Sequence, residues 1–197
     1  NEYLPKARTT NVIIGVKGGE KYYLDLVKYW TTTNKTPEEI YNTGLSEVKR
    51  IRGLMDSVKN AVGFKGDLNA FFNYMRTDKK FFPYKKPEDV LNAFRAIKDR
   101  VEPHLKDYFG IAPKSKFEIR QTEAFRAASS SIEYNPGTAD GTRPGIFYIP
   151  IVDATKFNTT SGMESTFLHE AIPGHHYQMS LQMENNNLHQ FRRYSWY

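Results

Sequence analysis

The sequence contains no cysteine among its 197 residues. This absence excludes disulfide bonds, thiolate catalysis and cysteine-based zinc sites, and it is compatible with both cytosolic and exported proteins. Long hydrophobic runs are also missing. No stretch approaches the roughly 20 apolar residues that a membrane span needs, so no transmembrane helix is predicted. The sequence starts at Asn1 rather than Met and shows no signal peptide, so we expect it to begin inside a longer precursor.

A concentrated block of positive charge is absent too. The formal net charge is +6, but the basic residues occur as short pairs among acidic ones, at Lys49-Arg50, Lys79-Lys80, Lys85-Lys86 and Arg192-Arg193. Such pairs are typical of solvated helix faces, and no nucleic-acid-binding motif accompanies them, so we predict no nucleic-acid partner. A hydrophobic content of 39% with 25% charged residues indicates an ordered globular protein.

The most informative segment covers residues 166–178 and has the sequence Thr-Phe-Leu-His-Glu-Ala-Ile-Pro-Gly-His-His-Tyr-Gln. In zinc hydrolases of the His-Glu-x-x-His type, two imidazoles four residues apart on one helix hold the metal, and the glutamate is the general base. Here Pro173 stands four residues after His169. On a continuous helix His175 would be rotated by about 240° and His176 would lie roughly 10 Å further along, so neither could share an ion with His169.

The Pro173-Gly174 pair suggests how this spacing can still form a metal site. Proline removes an amide donor and clashes with the preceding turn, and glycine accepts backbone angles that other residues avoid. We predict that the helix breaks here and loops out two residues, which brings His175 beside His169. His176 would then point toward substrate or toward a carboxylate that orients the site. The choice of His175 over His176 is a hypothesis, and two polar histidines at a helix start are the simpler alternative.

Residues 169–178, preceded by Asp-Gly-Thr-Arg-Pro-Gly-Ile-Phe-Tyr at residues 140–148, resemble the signature of the domain of unknown function 885 family. Further segments similar to that family lie at residues 21–23, 36–40, 44–48 and 74–78. The family is regarded as zinc-dependent peptidases of gluzincin type, and some members look exported. The resemblance implies that His169 and His175 are Zn²⁺ ligands and that Glu170 is the base.

The resemblance also implies a third metal ligand that this sequence does not contain. Family members are longer and carry a Glu-Gly-Trp-Ala-Leu-Tyr segment after the histidine motif, so we expect its glutamate beyond Tyr197. Glu184 would lie about 13 Å from His175 on a continuous helix. An upstream loop would have to fold back to bring in Asp140, Asp153 or Glu164. We therefore expect a fragment truncated at both ends, inactive and weak in zinc binding by itself, on which the rest of the parent polypeptide packs.

Four helices are predicted in the first half of the chain. The apolar residues between Tyr22 and Trp30 predict a short amphipathic helix in the core. Thr36, Pro37 and Glu39 form a capping-box start for a long packing helix that ends near residue 63. Further helices are predicted after residue 67, where Asp67 is the cap, and from residue 87, where Pro87 is the first helical residue.

Strand patterns follow after residue 113. Residues 117–122 alternate in polarity, and residues 145–152 form a β-rich run, with a loop between them. We predict a small sheet beside the metal-site helix, in which residues 145–149 are an edge strand that lines the substrate groove, because Pro150 suits an edge. Arg143 and Tyr148 are candidate substrate contacts, with a loop-clamping role as the alternative for Arg143. Ser161 and Glu164 have the spacing of a capping box, which places the start of the metal-site helix.

Together these patterns predict an α+β fold, mainly α-helical, with a small sheet next to a zincin-like helix. Residues 1–115 form the helical region, and residues 116–197 form the region with the sheet and the metal site. The favoured function is a zinc-dependent metallopeptidase whose partner is a peptide substrate. Hydrolysis of an ester or acyl substrate at the same metal site, or non-catalytic metal or peptide binding, are the alternatives.

Overall fold

A computed structural model describes residues 2–10, 12–160 and 162–195. The chain forms two compact units, Asn1–Phe71 and Phe72–Tyr197. Helices dominate, and the one sheet in the described residues has three strands, so the prediction of a mainly helical α+β fold is confirmed. No helix in the described ranges is both long and apolar enough to cross a membrane. The division at residue 115 stays a prediction.

The first unit contains helices α1 (Gly19–Thr31) and α2 (Pro37–Ala61) and the start of α3 (Leu68–Thr77). The predicted capping box of α2 is confirmed. The Thr36 hydroxyl accepts from the Glu39 amide at 3.2 Å, and the Glu39 carboxylate accepts from the Thr36 amide at 2.7 Å. Asp67 caps α3 by accepting from the Ala70 amide at 2.7 Å.

The prediction that α1 and α2 bury their apolar stripes is wrong for the described chain. Trp30 is 75% exposed, and Val48 and Val58 are each 57% exposed. A Cβ on Gly44 of α2 would lie in open space, so no other backbone among the described residues approaches it closely. An apolar stripe specifies which face of a helix can be buried, but not whether a partner is present to bury it.

The second unit is built around the sheet. Strand β1 (Phe117–Gln121) pairs in parallel with β3 (Gly145–Ile149), and β2 (Glu133–Asn135) pairs with β3 in the antiparallel direction, which gives the order β1-β3-β2. The remaining helices are α4 (Pro87–Val101), α5 (Ala124–Ala127), α6 (Met163–Glu170), α7 (His175–Glu184) and α8 (Gln190–Arg193).

The prediction that residues 145–149 form an edge strand is wrong. Strand β3 lies at the centre of the sheet, paired on both sides, and ends at Ile149 because the following Pro150 has no amide to donate. Strand β2 was missed, since three residues within a loop-like sequence give too little periodicity to identify. Substrate pairing along β3 is therefore excluded.

The core of the second unit lies between α4, α6 and one face of the sheet. Phe94, Phe147 and Phe167 are fully buried, and the Phe147 ring lies 5.4 Å from Phe94 and 5.8 Å from Phe167. These edge-to-face contacts fix α6 on the sheet. The histidine motif thus begins on a helix anchored by its preceding aromatic residue.

Candidate metal centre

The helix carrying the histidine motif breaks where the sequence predicts a break. Helix α6 ends at Glu170, Ala171 has φ −99° and ψ −102°, and α7 begins at His175. The His176 amide donates to the Ala171 carbonyl at 3.2 Å, which starts the new helix directly after the turn. As a result the His169 and His175 rings lie 4.8 Å apart, nearly perpendicular at 88°. The predicted approach of these two imidazoles is confirmed.

Gly174 is required at this break. Its backbone angles, φ −71° and ψ −126°, lie outside the α and β regions that residues with a side chain prefer. A Cβ on Gly174 would also lie 1.8 Å from the His169 carbonyl oxygen. The turn can close only because the backbone of residue 174 passes directly over the end of α6.

His169, Glu170 and His175 form the one group of possible metal ligands found in the described ranges. One donor atom from each lies within 4.8 Å of the others. His169 Nε2 lies 4.0 Å from Glu170 Oε1, with side-chain exposures of 69% and 18%. Since Phe167 and His169 differ by about 200° around α6, burying Phe167 in the core leaves His169 facing outward. The group is therefore accessible to a metal ion and to substrate.

Gln178 orients His175 within this group. The Nδ1 atom of His175 lies 3.1 Å from Gln178 Oε1, one turn further along α7. Metal-binding histidines commonly donate one ring N–H to a neighbouring oxygen, which leaves the other nitrogen free for the ion. This hydrogen bond directs Nε2 of His175 away from α7 as a ligand atom.

The residues of this group fit a zinc ion. Zinc is held in proteins by imidazole nitrogen and carboxylate oxygen atoms at about 2.0–2.2 Å, so two ligand atoms of one ion lie at most roughly 4 Å apart. The largest separation of 4.8 Å exceeds this span by less than 1 Å. Rotation of the partly exposed side chains can close that gap, so His169 and His175 can hold the ion with Glu170 beside it.

The other acidic residues considered from sequence have different partners. Glu184 accepts from the amides of Lys114 and Ser115, at 3.0 and 2.9 Å. Asp140 and Asp153 each accept from the backbone of their own turns, and Glu164 forms an ion pair with Arg100. The Ser161 cap lies outside the described residues, and Gly162 is the N-cap of α6.

His176 points away from the metal group into the core. It is 4% exposed, and its Nδ1 lies 2.8 Å from the hydroxyl of Tyr134 in β2. Burial lowers the pKa of His176 to about 4, so the ring is neutral at pH 7. The partner of His176 is thus a buried tyrosine hydroxyl, neither a carboxylate nor an open substrate site.

Arg143 and Tyr148 have different surroundings. Tyr134 pairs directly with Phe147, so both face α6, whereas the neighbouring Tyr148 projects from the opposite face. There the Tyr148 ring lies 4.6 Å beneath the Arg126 guanidinium. Arg143 is exposed, and its backbone closes the loop through Thr138 at 3.0 Å. The structure does not bring Tyr148 to the histidine group.

Two residues around the site were not assigned from the sequence. Gln178 is three residues after His175, and this spacing on a helix is a local signal that could have identified it. Tyr134 is 42 residues from His176, in a strand too short to predict. No local pattern connects that pair.

Comparison with known proteins relates the chain to a bacterial family and to a solved structure. The sequence pattern of a family described as "Bacterial protein of unknown function (DUF885)" matches residues 1–197. A crystal structure described as "the putative lipoprotein from Colwellia psychrerythraea" superposes with a TM-score of 0.85 at 26% identity. The match covers 98% of this chain and 34% of that one, so the chain spans about a third of its length. No curated protein matches the chain.

Proposed function

The chain belongs to the bacterial family of unknown function DUF885, and from this premise we propose that it forms part of the metal site of a zinc-dependent peptidase. The observation that carries the proposal is the convergence of His169, Glu170 and His175 across a helix break, with donor atoms within 4.8 Å. A turn between two helices does not by itself require two imidazoles and a carboxylate to lie together. Their convergence across residues 171–174 therefore favours a metal site.

Each residue has a distinct role in the proposed reaction. His169 and His175 would hold Zn²⁺, which when bound would supply Lewis-acid catalysis for peptide hydrolysis. The Glu170 carboxylate would accept a proton from the attacking water and pass it to the amine that is released as the peptide C–N bond breaks. Its side chain, 18% exposed, is sheltered enough to stay in place and open enough to reach solvent.

A third protein ligand is proposed to come from the part of the parent protein outside this chain. The chain spans about a third of the length of its Colwellia relative. In the described residues no other histidine or acidic side chain joins the group. Two imidazoles with one adjacent carboxylate should bind zinc more weakly than a complete site. The 197-residue chain is therefore proposed to be inactive by itself, and the rest of the parent protein to pack on it.

A peptide substrate is favoured by the position of β2. Among the described strands, β1 and β2 each pair on one side only, and the central residue of β2, Tyr134, contacts His176, which adjoins His175. An extended peptide can add to such an edge by backbone hydrogen bonds and so be held near the metal. We therefore propose that the groove lies along β2 rather than along β3.

Metal binding is tested by equilibrium dialysis against Zn²⁺ followed by elemental analysis. The wild-type chain should retain one zinc ion, and His169→Ala and His175→Ala should each lose it. His104→Ala removes a histidine that is 71% exposed and remote in sequence, and it should keep the ion. Retention of the ion by His175→Ala would rule out this site.

The reaction is tested on the full-length parent protein with a panel of peptides and matched esters. Glu170→Gln should keep zinc while kcat falls by about 10²–10⁴, the usual contribution of a general base. Loss of zinc from Glu170→Gln would make Glu170 a ligand instead. Turnover of esters but not of peptides would identify an esterase instead of a peptidase. Turnover of neither substrate class would leave only a binding role.

A further inference from the structure

Tyr134 and His176 form a buried contact between the sheet and the first turn of α7. Both residues are 4% exposed, and the Tyr134 hydroxyl lies 2.8 Å from His176 Nδ1. Ser180, one turn along α7, adds a hydroxyl at 3.4 Å from the same nitrogen. A neutral imidazole accepts at one nitrogen and donates at the other. The contact is a hydrogen bond in which either the Tyr134 hydroxyl or Nδ1–H is the donor.

The segment before β1 contacts the far end of α7. Glu184, the last residue of α7, accepts from the amides of Lys114 and Ser115. Helix α7 is thus fixed to the segment before β1 at its last residue.

Residues of β1 and β3 accommodate the contact between Tyr134 and His176. A Cβ on Gly145 would lie 2.1 Å from the Tyr134 hydroxyl, so only glycine at this position of β3 lets the tyrosine reach His176. The Phe117 ring of β1 lies 4.8 Å from the His176 ring and covers it. All three strands therefore contribute to holding one imidazole.

We propose that Tyr134 and His176 are positioning residues that hold the first turn of α7, and with it the adjacent His175 imidazole, at the distance from His169 that metal binding needs. The inference rests on the proposed metal site, since it concerns the placement of one of its ligands. Both side chains are too buried to touch a substrate, and His176 faces away from the ion. Their effect on the site passes through the backbone of residues 175 and 176.

The test is a Co²⁺ titration of the chain, because the visible spectrum of Co²⁺ reports the number and geometry of its ligands. Tyr134→Phe removes only the hydroxyl and should raise the Co²⁺ dissociation constant about 10–100-fold, the usual effect of losing a group that orients a ligand. Its spectrum should also change. Tyr84→Phe is the matched control, because it removes a half-buried hydroxyl that contacts Met163 at the other end of α6. It should leave affinity and spectrum unaltered.

A second pair of variants distinguishes a loss of positioning from misfolding. His176→Gln keeps a donor and an acceptor and should retain more affinity than His176→Leu, with far-UV circular dichroism confirming that both fold. The metal site would stand if Co²⁺ binding depended on His169 and His175. The positioning role would be overturned if that binding were unchanged by Tyr134→Phe and by His176→Leu. A wild-type chain without such binding would overturn the metal site and this inference together.

Discussion

At the scale of single residues, the site depends on a glycine that a motif search would treat as a spacer. Gly174 lets the chain turn across the His169 carbonyl, and that turn converts a spacing of six residues into a pair of imidazoles 4.8 Å apart. The proline before it ends the first helix, because it cannot donate an amide hydrogen bond. Together the two residues replace the four-residue spacing of an unbroken zinc-binding helix.

Gly174→Ala should therefore disrupt the metal group. The added Cβ would meet a backbone oxygen at 1.8 Å, so α6 and α7 must shift apart. We expect a loss of about 1–3 kcal/mol in the free energy of unfolding, the usual range for overpacking, and a loss of zinc binding measured by calorimetry. Gly110→Ala, whose Cβ would meet nothing within 4 Å, should change neither quantity. Unimpaired zinc binding by Gly174→Ala would contradict this account of the turn.

Gln178→Leu should weaken zinc binding about 10–100-fold, because it removes the acceptor that orients His175. The unfolding temperature should change little, since the side chain is exposed. Gln178→Glu keeps the acceptor oxygen and should retain the affinity. Gln190→Leu, an exposed glutamine in α8, is the control for general surface effects. An equal effect of Gln178→Leu and Gln178→Glu would argue against an orienting role.

At the scale of elements, prolines predict where α2 and α4 begin. The apolar stripe of a helix is buried only where another element packs against it. Helices α2 and α4 both begin at the proline predicted for them. Helix α4 buries its apolar stripe against the sheet, with Val90 and Phe94 fully buried, while α2 leaves Val48 and Val58 exposed. The stripes look alike in sequence. In the part of the chain that the structure describes, the difference is the sheet, which lies in the second unit.

Thr36→Ala should cost about 1 kcal/mol in the stability of α2, because an orphan amide of its first turn loses its acceptor. The effect is measured by urea unfolding followed by circular dichroism, or by hydrogen exchange of the first turn. Thr36→Ser keeps the hydroxyl and should remain close to wild type. A loss as large for serine as for alanine would mean that the cap is not responsible.

The same cap gives α2 a dependence on pH. Hydrogen bonds from Thr36, first from its backbone, lower the pKa of Glu39 below its usual 4.5. A carboxylate whose pKa is lower in the folded state contributes stability above the unfolded value and loses it as the pH falls through the folded one. The stability difference between wild type and Glu39→Gln should therefore shrink below pH 4.5. A constant difference down to acid pH would exclude this contribution.

At the scale of the whole molecule, the proposed metal should couple to folding. A ligand that binds only the folded state raises the free energy of unfolding by about 2.7 kcal/mol at 100 times its dissociation constant. Zinc at that concentration should raise the unfolding temperature of the wild-type chain, and a chelator should reverse the change. His169→Ala should show no shift. An equal zinc effect on His169→Ala would place the bound ion elsewhere.

The sequence alone determined the starts of α2, α3 and α4, the two main strands and the break that brings His169 and His175 together. These features depend on neighbouring residues, through caps, proline, glycine and short periodicity. The tertiary structure decided which strand lies at the edge of the sheet, which apolar stripes are buried, and that His176 turns inward to Tyr134. Those outcomes depend on contacts between residues far apart in the chain, for which a local pattern carries no signal.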